Sequence, residues 1–139
     1  MSIKEYCTKD VEFVGPDTSI KELAQRMKQK DCGSILIAEN ERLVGVVTDR
    51  DIVVRALSEN EDVSHLTAQD VMSAQVLYCF ETDTPEDVLK NMADNAVKRL
   101  PVLDRDKNLV GIISFGDVSA GANDKQHAGE AMKEIRKAA

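Results

Sequence analysis

The chain has no tryptophan, and aromatic residues make up only 4% of it. That excludes an aromatic platform on which nucleic-acid bases could stack, and it leaves the core to Val, Ile, Leu, Met and Ala. An excess of positive charge is also missing: 18 basic residues stand against 25 acidic ones, a formal charge of -7. A general phosphate-backbone binder needs clustered Lys and Arg, so a nucleic-acid partner is not expected. One small phosphorylated ligand needs only one or two local cations and stays open. The three cysteines, Cys7, Cys32 and Cys79, show no Cys-x-x-Cys spacing, and His65 and His127 are the only histidines. No zinc-ligand pattern results. Cys32 and Cys79 sit in apolar stretches and are expected to behave as small buried hydrophobes. The N-terminus carries no apolar run of the signal-peptide kind, and no stretch approaches the ~20 apolar residues of a membrane span. The expected compartment is the cytoplasm, with no membrane partner.

What the sequence does have is a repeat. Leu43-Val44-Gly45-Val46-Val47-Thr48-Asp49-Arg50-Asp51 is echoed by Leu109-Val110-Gly111-Ile112-Ile113-Ser114-Phe115-Gly116-Asp117. The shared pattern is apolar-apolar-Gly-apolar-apolar-hydroxyl-x-x-Asp. Each copy reads as a buried strand that ends on a hydroxyl residue and passes into a helix with an acid in its first turn. Gly45 and Gly111 are expected to serve backbone freedom near a hairpin turn.

The correspondence extends along the chain at an offset of 65, then 66. Tyr6-Cys7-Thr8 matches Val71-Met72-Ser73. Val11 to Val14 matches Val76 to Cys79, each a short strand. Thr18 and Asp83 are the expected N-caps of helices whose apolar residues, Ile20, Leu23, Ala24 and Met27 or Val88, Leu89 and Met92, recur at helical spacing. Pro85 suits the first turn of the second helix. Two apolar runs split by a short polar turn follow in each copy, Ser34–Ala38 with Leu43–Val47 and Leu100–Leu103 with Leu109–Ile113. These predict hairpins. A last helix starts at Asp49 or Phe115.

The predicted fold class is therefore α/β (α+β). Two pseudo-symmetric β-α-β-β-α repeats pack sheet to sheet with their helices outside. One repeat of about 50 residues would bury little surface alone. Residues 1–60 form the first repeat and 61–70 a linker, whose acidic approach is Ser58–Ser64. Residues 71–121 form the second repeat and 122–139 a tail, in which Ala128–Ala138 reads as a short helix with Met132 and Ile135 on one side.

These features together resemble a tandem pair of cystathionine-β-synthase (CBS) domains, a Bateman module. The resemblance rests on the two Gly-apolar-apolar-[Ser/Thr]-x-x-Asp motifs in register, on Asp70-Val71-Met72-Ser73, and on Lys98-Arg99-Leu100-Pro101-Val102. It covers about residues 1–120. The wording Thr48-Asp49-Arg50-Asp51-Ile52-Val53 is similar to small stand-alone bacterial members. The resemblance implies clefts between the copies that bind AMP, ADP, ATP, S-adenosylmethionine or NAD-type dinucleotides. It also implies a homodimer, formed through helices into a flat disc.

A carboxylate at a helix start can accept hydrogen bonds from two neighbouring ribose hydroxyls, with the strand-ending hydroxyl beside it. Helix-terminal N–H groups favour a nearby phosphate. From the residues alone, Asp51 and Asp117 suit this role or simple first-turn capping by Thr48 and Ser114. The resemblance implies the ribose role. Carried over, one cleft uses Thr48, Arg50 and Asp51 with Ser73, Val76, Val97, Lys98, Arg99 and Leu100. The other uses Ile112, Ser114, Gly116 and Asp117 with Thr8, Val11, Cys32, Gly33, Ser34, Ile35 and Lys98. Lys98-Arg99 aligns with a His-Arg pair that holds phosphates in family members, with Lys in place of His. The other reading of this pair is a solvated charge at a strand start. The first copy has Gly33-Ser34 there, so the clefts are unequal.

No nucleophile–base pair is present, and Asp51 and Asp117 belong to separate repeats. The chain is read as non-catalytic, with no catalytic cofactor and no metal. The expected function is a regulatory sensor of an adenosine ligand that signals to an unidentified protein partner. Two rivals are a protein-interaction scaffold with vestigial clefts and a cysteine redox sensor.

Overall fold

The computed structural model describes residues 2–9 and 11–121. Its elements run β1 (Phe13–Val14), α1 (Ile20–Lys30), β2 (Ser34–Glu39), β3 (Arg42–Thr48), α2 (Asp49–Asp51), α3 (Ala68–Val71), β4 (Cys79–Phe80), α4 (Pro85–Asn95), β5 (Arg99–Leu103), β6 (Leu109–Ser114) and α5 (Phe115–Gly121). A 3-10 turn covers Ile3–Glu5, and α2 continues as a π-helix over Ile52–Leu57. The chain divides into two compact units, one continuous and the other built from two segments. Glu12–Val76 forms the Asp51 unit, and among the described residues the stretch up to Val11 joins residues 77–121 as the Asp117 unit.

In the Asp51 unit the sheet order is β1-β2-β3. β1 lies parallel to β2, with Phe13 opposite Leu36, and α1 is the crossover that a parallel pair requires. β2 and β3 form the expected antiparallel hairpin, with Ser34 opposite Thr48 and Ile37 opposite Gly45. Its tip holds Asn40 and Glu41 at φ 53° and 68°, the left-handed pair that matches strand twist in a tight hairpin. α1 turns Ile20, Leu23 and Met27 inward. They pack with Val14, Ile37, Val47, Ile52, Ala56, Ala68 and Val71 in one core. Each large apolar side chain buried this way stabilises the unit by roughly 1.5–3 kcal/mol before chain entropy is counted.

The Asp117 unit repeats the plan as β4-β5-β6. Cys79 lies opposite Val102 in the parallel pair, and Arg99 opposite Ser114 in the antiparallel one. Val88, Leu89 and Met92 of α4 pack with Ile3, Cys79, Leu100, Val102, Ile113 and Val118. Ile3 is tied in by its N–H, which donates to the Asp83 carbonyl at 2.9 Å.

Each unit is thus completed by a segment that precedes the other repeat in sequence. Thr8 bridges β6 by exchanging hydrogen bonds with Ile112, N–H to carbonyl at 2.8 and 2.9 Å. Ser73 bridges β3 in the same way with Val46, at 2.9 and 3.0 Å. This is the structural form of the match between Tyr6-Cys7-Thr8 and Val71-Met72-Ser73.

Several local expectations need correction. The N-caps are Ser19 and Thr84, one residue beyond Thr18 and Asp83. Ser19 Oγ accepts from Glu22 N–H at 3.1 Å and Thr84 Oγ1 from Asp87 N–H at 3.2 Å. Pairing in the first strands is confined to Phe13–Val14 and Cys79–Phe80, so Val11 and Val76 lie just outside the ladders. Cys32 is exposed rather than buried. Asp31 adopts φ 50°, and Cys32 N–H donates to the Met27 carbonyl at 3.1 Å. Cys32 therefore belongs to the left-handed turn that closes α1, not to the strand. Neither Gly45 nor Gly111 has a positive φ. Their requirement is close approach: an added Cβ would stand 2.6 Å from Met72 Sδ at Gly45 and 2.7 Å from the Thr8 carbonyl oxygen at Gly111. The four-residue α3, capped by Thr67 and Asp70, was not anticipated. The expected tail helix over Ala128–Ala138 lies outside the described residues.

Candidate functional site

β3 and β6 both end on a hydroxyl residue whose side chain caps the helix that follows. In the Asp51 unit, Asp51 N–H donates to Thr48 Oγ1 at 3.1 Å, and Thr48 N–H donates to Asp51 Oδ2 at 2.9 Å. In the Asp117 unit, Asp117 N–H donates to Ser114 Oγ at 3.1 Å, and Ser114 N–H donates to Asp117 Oδ2 at 3.1 Å. Both are reciprocal capping boxes. The capping role read from the residues alone is therefore real at both positions. It also holds each carboxylate in one pose. Oδ2 is committed to the strand end, while a carboxylate has room for further donors on Oδ1.

The two acids are half-buried beside solvent, and the Asp51 side chain is 16% exposed. Arg50 and Gly116, which stand between hydroxyl and acid, are exposed. Ser73 reaches the Asp51 unit's motif through its bridge to Val46, two residues before Thr48. Thr8 reaches the other motif through Ile112, two residues before Ser114. Ser73, Val76, Val11 and Ile112 are half-buried, and Thr8 is exposed.

The strand register decides which further residues join each motif. Ser34 lies opposite Thr48, and Asp49 N–H donates to the Gly33 carbonyl at 2.9 Å. An added Cβ on Gly33 would lie 3.3 Å from Asp49 Oδ2. Cys32, Gly33, Ser34 and Ile35, which the resemblance assigns to the cleft of Asp117 as the contribution of the first copy, are part of the Asp51 unit. Arg99 lies opposite Ser114, and Phe115 N–H donates to the Lys98 carbonyl at 2.7 Å. Val97, Lys98, Arg99 and Leu100, which the resemblance assigns to the cleft of Asp51 as the contribution of the second copy, are part of the Asp117 unit. Residues directly opposite in an antiparallel pair share a sheet face, so Arg99 neighbours Ser114. Lys98 and Arg99 are exposed, whereas Leu100 is 1% exposed within the core and offers a ligand only its backbone.

The thiols are not equivalent. Burial raises the Cys7 thiol, and the charges of Glu81 and Asp117 act in the same direction. Burial, with Asp83 and Cys7 adding to it, pushes Cys79 up to about 12. Among the described residues, no group of three or more His, Cys, Asp or Glu side chains is placed to hold a metal ion.

Sequence reasoning missed Arg55. Its Nη1 donates to the carbonyls of Val71 and Met72 at 3.2 and 3.3 Å, and its Nε stands 3.8 Å from Asp51 Oδ1. The Asp51–Arg55 spacing was visible, but nothing local announces the carbonyl contacts.

Two small α/β units, each with a strand-ending hydroxyl–acid box and a segment delivered from outside the repeat, define a tandem-repeat protein. The chain belongs to the CBS domain family, whose model matches residues 3–58 and 68–121. It is 34% identical over 134 residues to the CBS domain-containing protein YhcV of Bacillus subtilis, covering 96% of this chain and 94% of that one. It is similar in structure to Hypoxic Response Protein I, described with two coordinated zinc ions, at a TM-score of 0.76 and 28% identity over 88% of this chain and 99% of that one. The CBS domain pair of protein MJ0100, described in complex with 5'-methylthioadenosine and S-adenosyl-L-methionine, has a TM-score of 0.67 and 25% identity over 86% of this chain and 94% of that one.

Proposed function

We propose that the chain is a non-catalytic regulatory module that binds an adenosine-containing ligand and signals its presence to a protein partner. The observation that carries this reading is the twice-built capping box. Asp51 and Asp117 are each fixed through Oδ2, so that a ribose can use Oδ1 without any rearrangement of the acid, at Asp51 in competition with the Arg55 guanidinium. Preorganisation of this kind lowers the ordering cost of binding. The adenosine compounds bound by the MJ0100 domain pair support the ligand class. AMP, ADP, ATP, S-adenosylmethionine and NAD-type dinucleotides all present the required ribose.

Lys98 and Arg99, next to Ser114 in register, supply the cations for a phosphate in the Asp117 unit. The Asp51 unit has Gly33 and Ser34 at that place and Arg50 within its motif. Val53, Val54 and Leu57 on the π-helix are 57%, 43% and 56% exposed, which supports a homodimer formed through this helix. No helix of the described residues is long and apolar enough to cross a membrane. A cytoplasmic module fits these properties.

The test is a thermal melt of the full chain with each of those compounds. A ligand that binds only the folded state adds RT ln(1 + [L]/Kd), about 2.7 kcal/mol at roughly a hundredfold excess over Kd. An upward shift with at least one compound is expected. No shift with any of them at millimolar concentration overturns the proposal.

A further inference from the structure

Arg55 joins two features that the rest of the site keeps apart. It projects from the π-helix, half-exposed, toward α3. The carbonyls it holds, Val71 and Met72, stand at the C-terminal end of α3, where backbone oxygens lack helical partners and carry partial negative charge. The next residue is Ser73, whose bridge to Val46 fastens the crossing segment to β3. The same guanidinium faces Asp51 Oδ1. One cation therefore serves both the acid of the half-site and the segment that completes its unit.

The second repeat lacks this device. Four residues beyond Asp51 the chain has Arg55, and four beyond Asp117 it has Gly121. A glycine cannot hold the carbonyls of Tyr6 and Cys7 in the same manner. The bridge of Thr8 to Ile112 is made by backbone groups just as that of Ser73 is, and the position equivalent to Arg55 there is Gly121.

We propose that Arg55 is a positioning residue that couples the state of the Asp51 carboxylate to the hold on Val71–Ser73, in the Asp51 unit alone. Anything that draws on Oδ1 competes with the guanidinium for it. That frees the Nε side of the guanidinium, whose Nη1 holds the Val71 and Met72 carbonyls, so the planar group reorients and the hold on both carbonyls changes with it. A hydrogen bond from a charged donor contributes more than a neutral one, so the change is large enough to read at the bridge. The coupling stands without any ligand, while its use in signalling rests on the proposed adenosine site.

The experiment is residue-resolved amide hydrogen exchange on the full chain, read at Val46 and Ser73, with Thr8 and Ile112 as internal references. Arg55→Met is expected to speed exchange at Ser73 by about tenfold or more, with the reference amides unchanged. Asp51→Asn keeps an oxygen for the Thr48 N–H but removes the charge. It is expected to alter Ser73 exchange by roughly threefold in the native background and not at all in the Arg55→Met background. Arg55→Lys, which can reach one carbonyl, restores part of the protection. If Arg55→Met loosens the reference amides too, the Asp51→Asn effect is compared between the native and Arg55→Lys backgrounds, where it must shrink. Unchanged Ser73 exchange in Arg55→Met, or an Asp51→Asn effect of equal size with and without Arg55, overturns the coupling. Addition of AMP supplies a separate arm. Altered Ser73 exchange in the native chain that is absent in Arg55→Met supports its use in signalling. AMP binding that leaves Ser73 exchange the same in both chains overturns that use. Failure of the chain to bind any adenosine compound sinks the proposed function while leaving the ligand-free test intact.

Discussion

The Thr8 carbonyl oxygen lies so close to Gly111 that a Cβ on that glycine would stand 2.7 Å from it. Thr8 and Ile112 exchange backbone hydrogen bonds at this point, so neither segment can move away without breaking the bridge. Gly111→Ala is therefore expected to detach the Thr8 segment or destabilise the Asp117 unit by about 1–3 kcal/mol. Gly45→Ala meets Met72 Sδ at 2.6 Å and Cγ at 3.0 Å, atoms of a side chain that can rotate, and the Ser73 carbonyl oxygen at 3.0 Å. It should cost less than Gly111→Ala. Urea unfolding of the two variants checks the order, and equal midpoints would contradict it.

Ala96 closes α4 at φ 56°, a conformation in which its Cβ is strained. Ala96→Gly is expected to raise stability by up to about 1 kcal/mol, because glycine accepts the left-handed turn freely. The urea midpoint should rise with no change in slope. A fall in midpoint would show that the Ala96 side chain contributes packing that outweighs the strain.

The thiols should react in a fixed order. Cys32 is exposed, Cys7 is half-buried with its thiol raised, and Cys79 is buried and pushed up to about 12. The thiolate is the nucleophile, so at pH 8 a maleimide should label Cys32 first, Cys7 slowly, and Cys79 only when the chain unfolds. Peptide mass mapping over time reads the order. Early labelling of Cys79 would contradict its placement. The same differences disfavour a redox switch built on Cys79.

Glu12 and Lys30 form an ion pair at 2.8 Å, and the hydrogen bond from Lys30 holds the Glu12 carboxyl below its ordinary value of 4.5. The sign follows from linkage. A folded-state value below the unfolded one contributes stability that is present above the unfolded value and lost as pH falls through the folded one. Glu12→Gln should therefore lower the melting temperature slightly near pH 7, with the difference closing as pH falls below 4.5. The pair is solvent-exposed, so added salt should shrink the difference. A difference that persists at pH 2 would assign the effect to something other than the ion pair.

Much of this arrangement could be read from the chain, and what could not has identifiable causes. The hydroxyl-x-x-Asp pattern encodes a capping box within four residues, so both boxes were visible locally. The N-caps fell one residue late because Thr18-Ser19 and Asp83-Thr84 each place two capable caps side by side. Cys32 looked like part of an apolar run, but the left-handed turn at Asp31 takes it out of the strand. The role of Gly45 and Gly111 was hidden because it depends on segments far away in sequence, Met72-Ser73 and Cys7-Thr8. The carbonyl contacts of Arg55 were hidden for the same reason. Local chemistry was legible, and long-range closeness was not.

The most direct test of adenosine binding is an amide-resolved NMR titration of the full chain with AMP and, separately, S-adenosylmethionine. Shifts are expected first at Thr48 and Asp51 or at Ser114 and Asp117, with Asp51→Ala and Asp117→Ala each removing the shifts of its own unit. Saturating shifts elsewhere that leave both capping boxes untouched, or binding that survives the double substitution unchanged, would contradict the assignment.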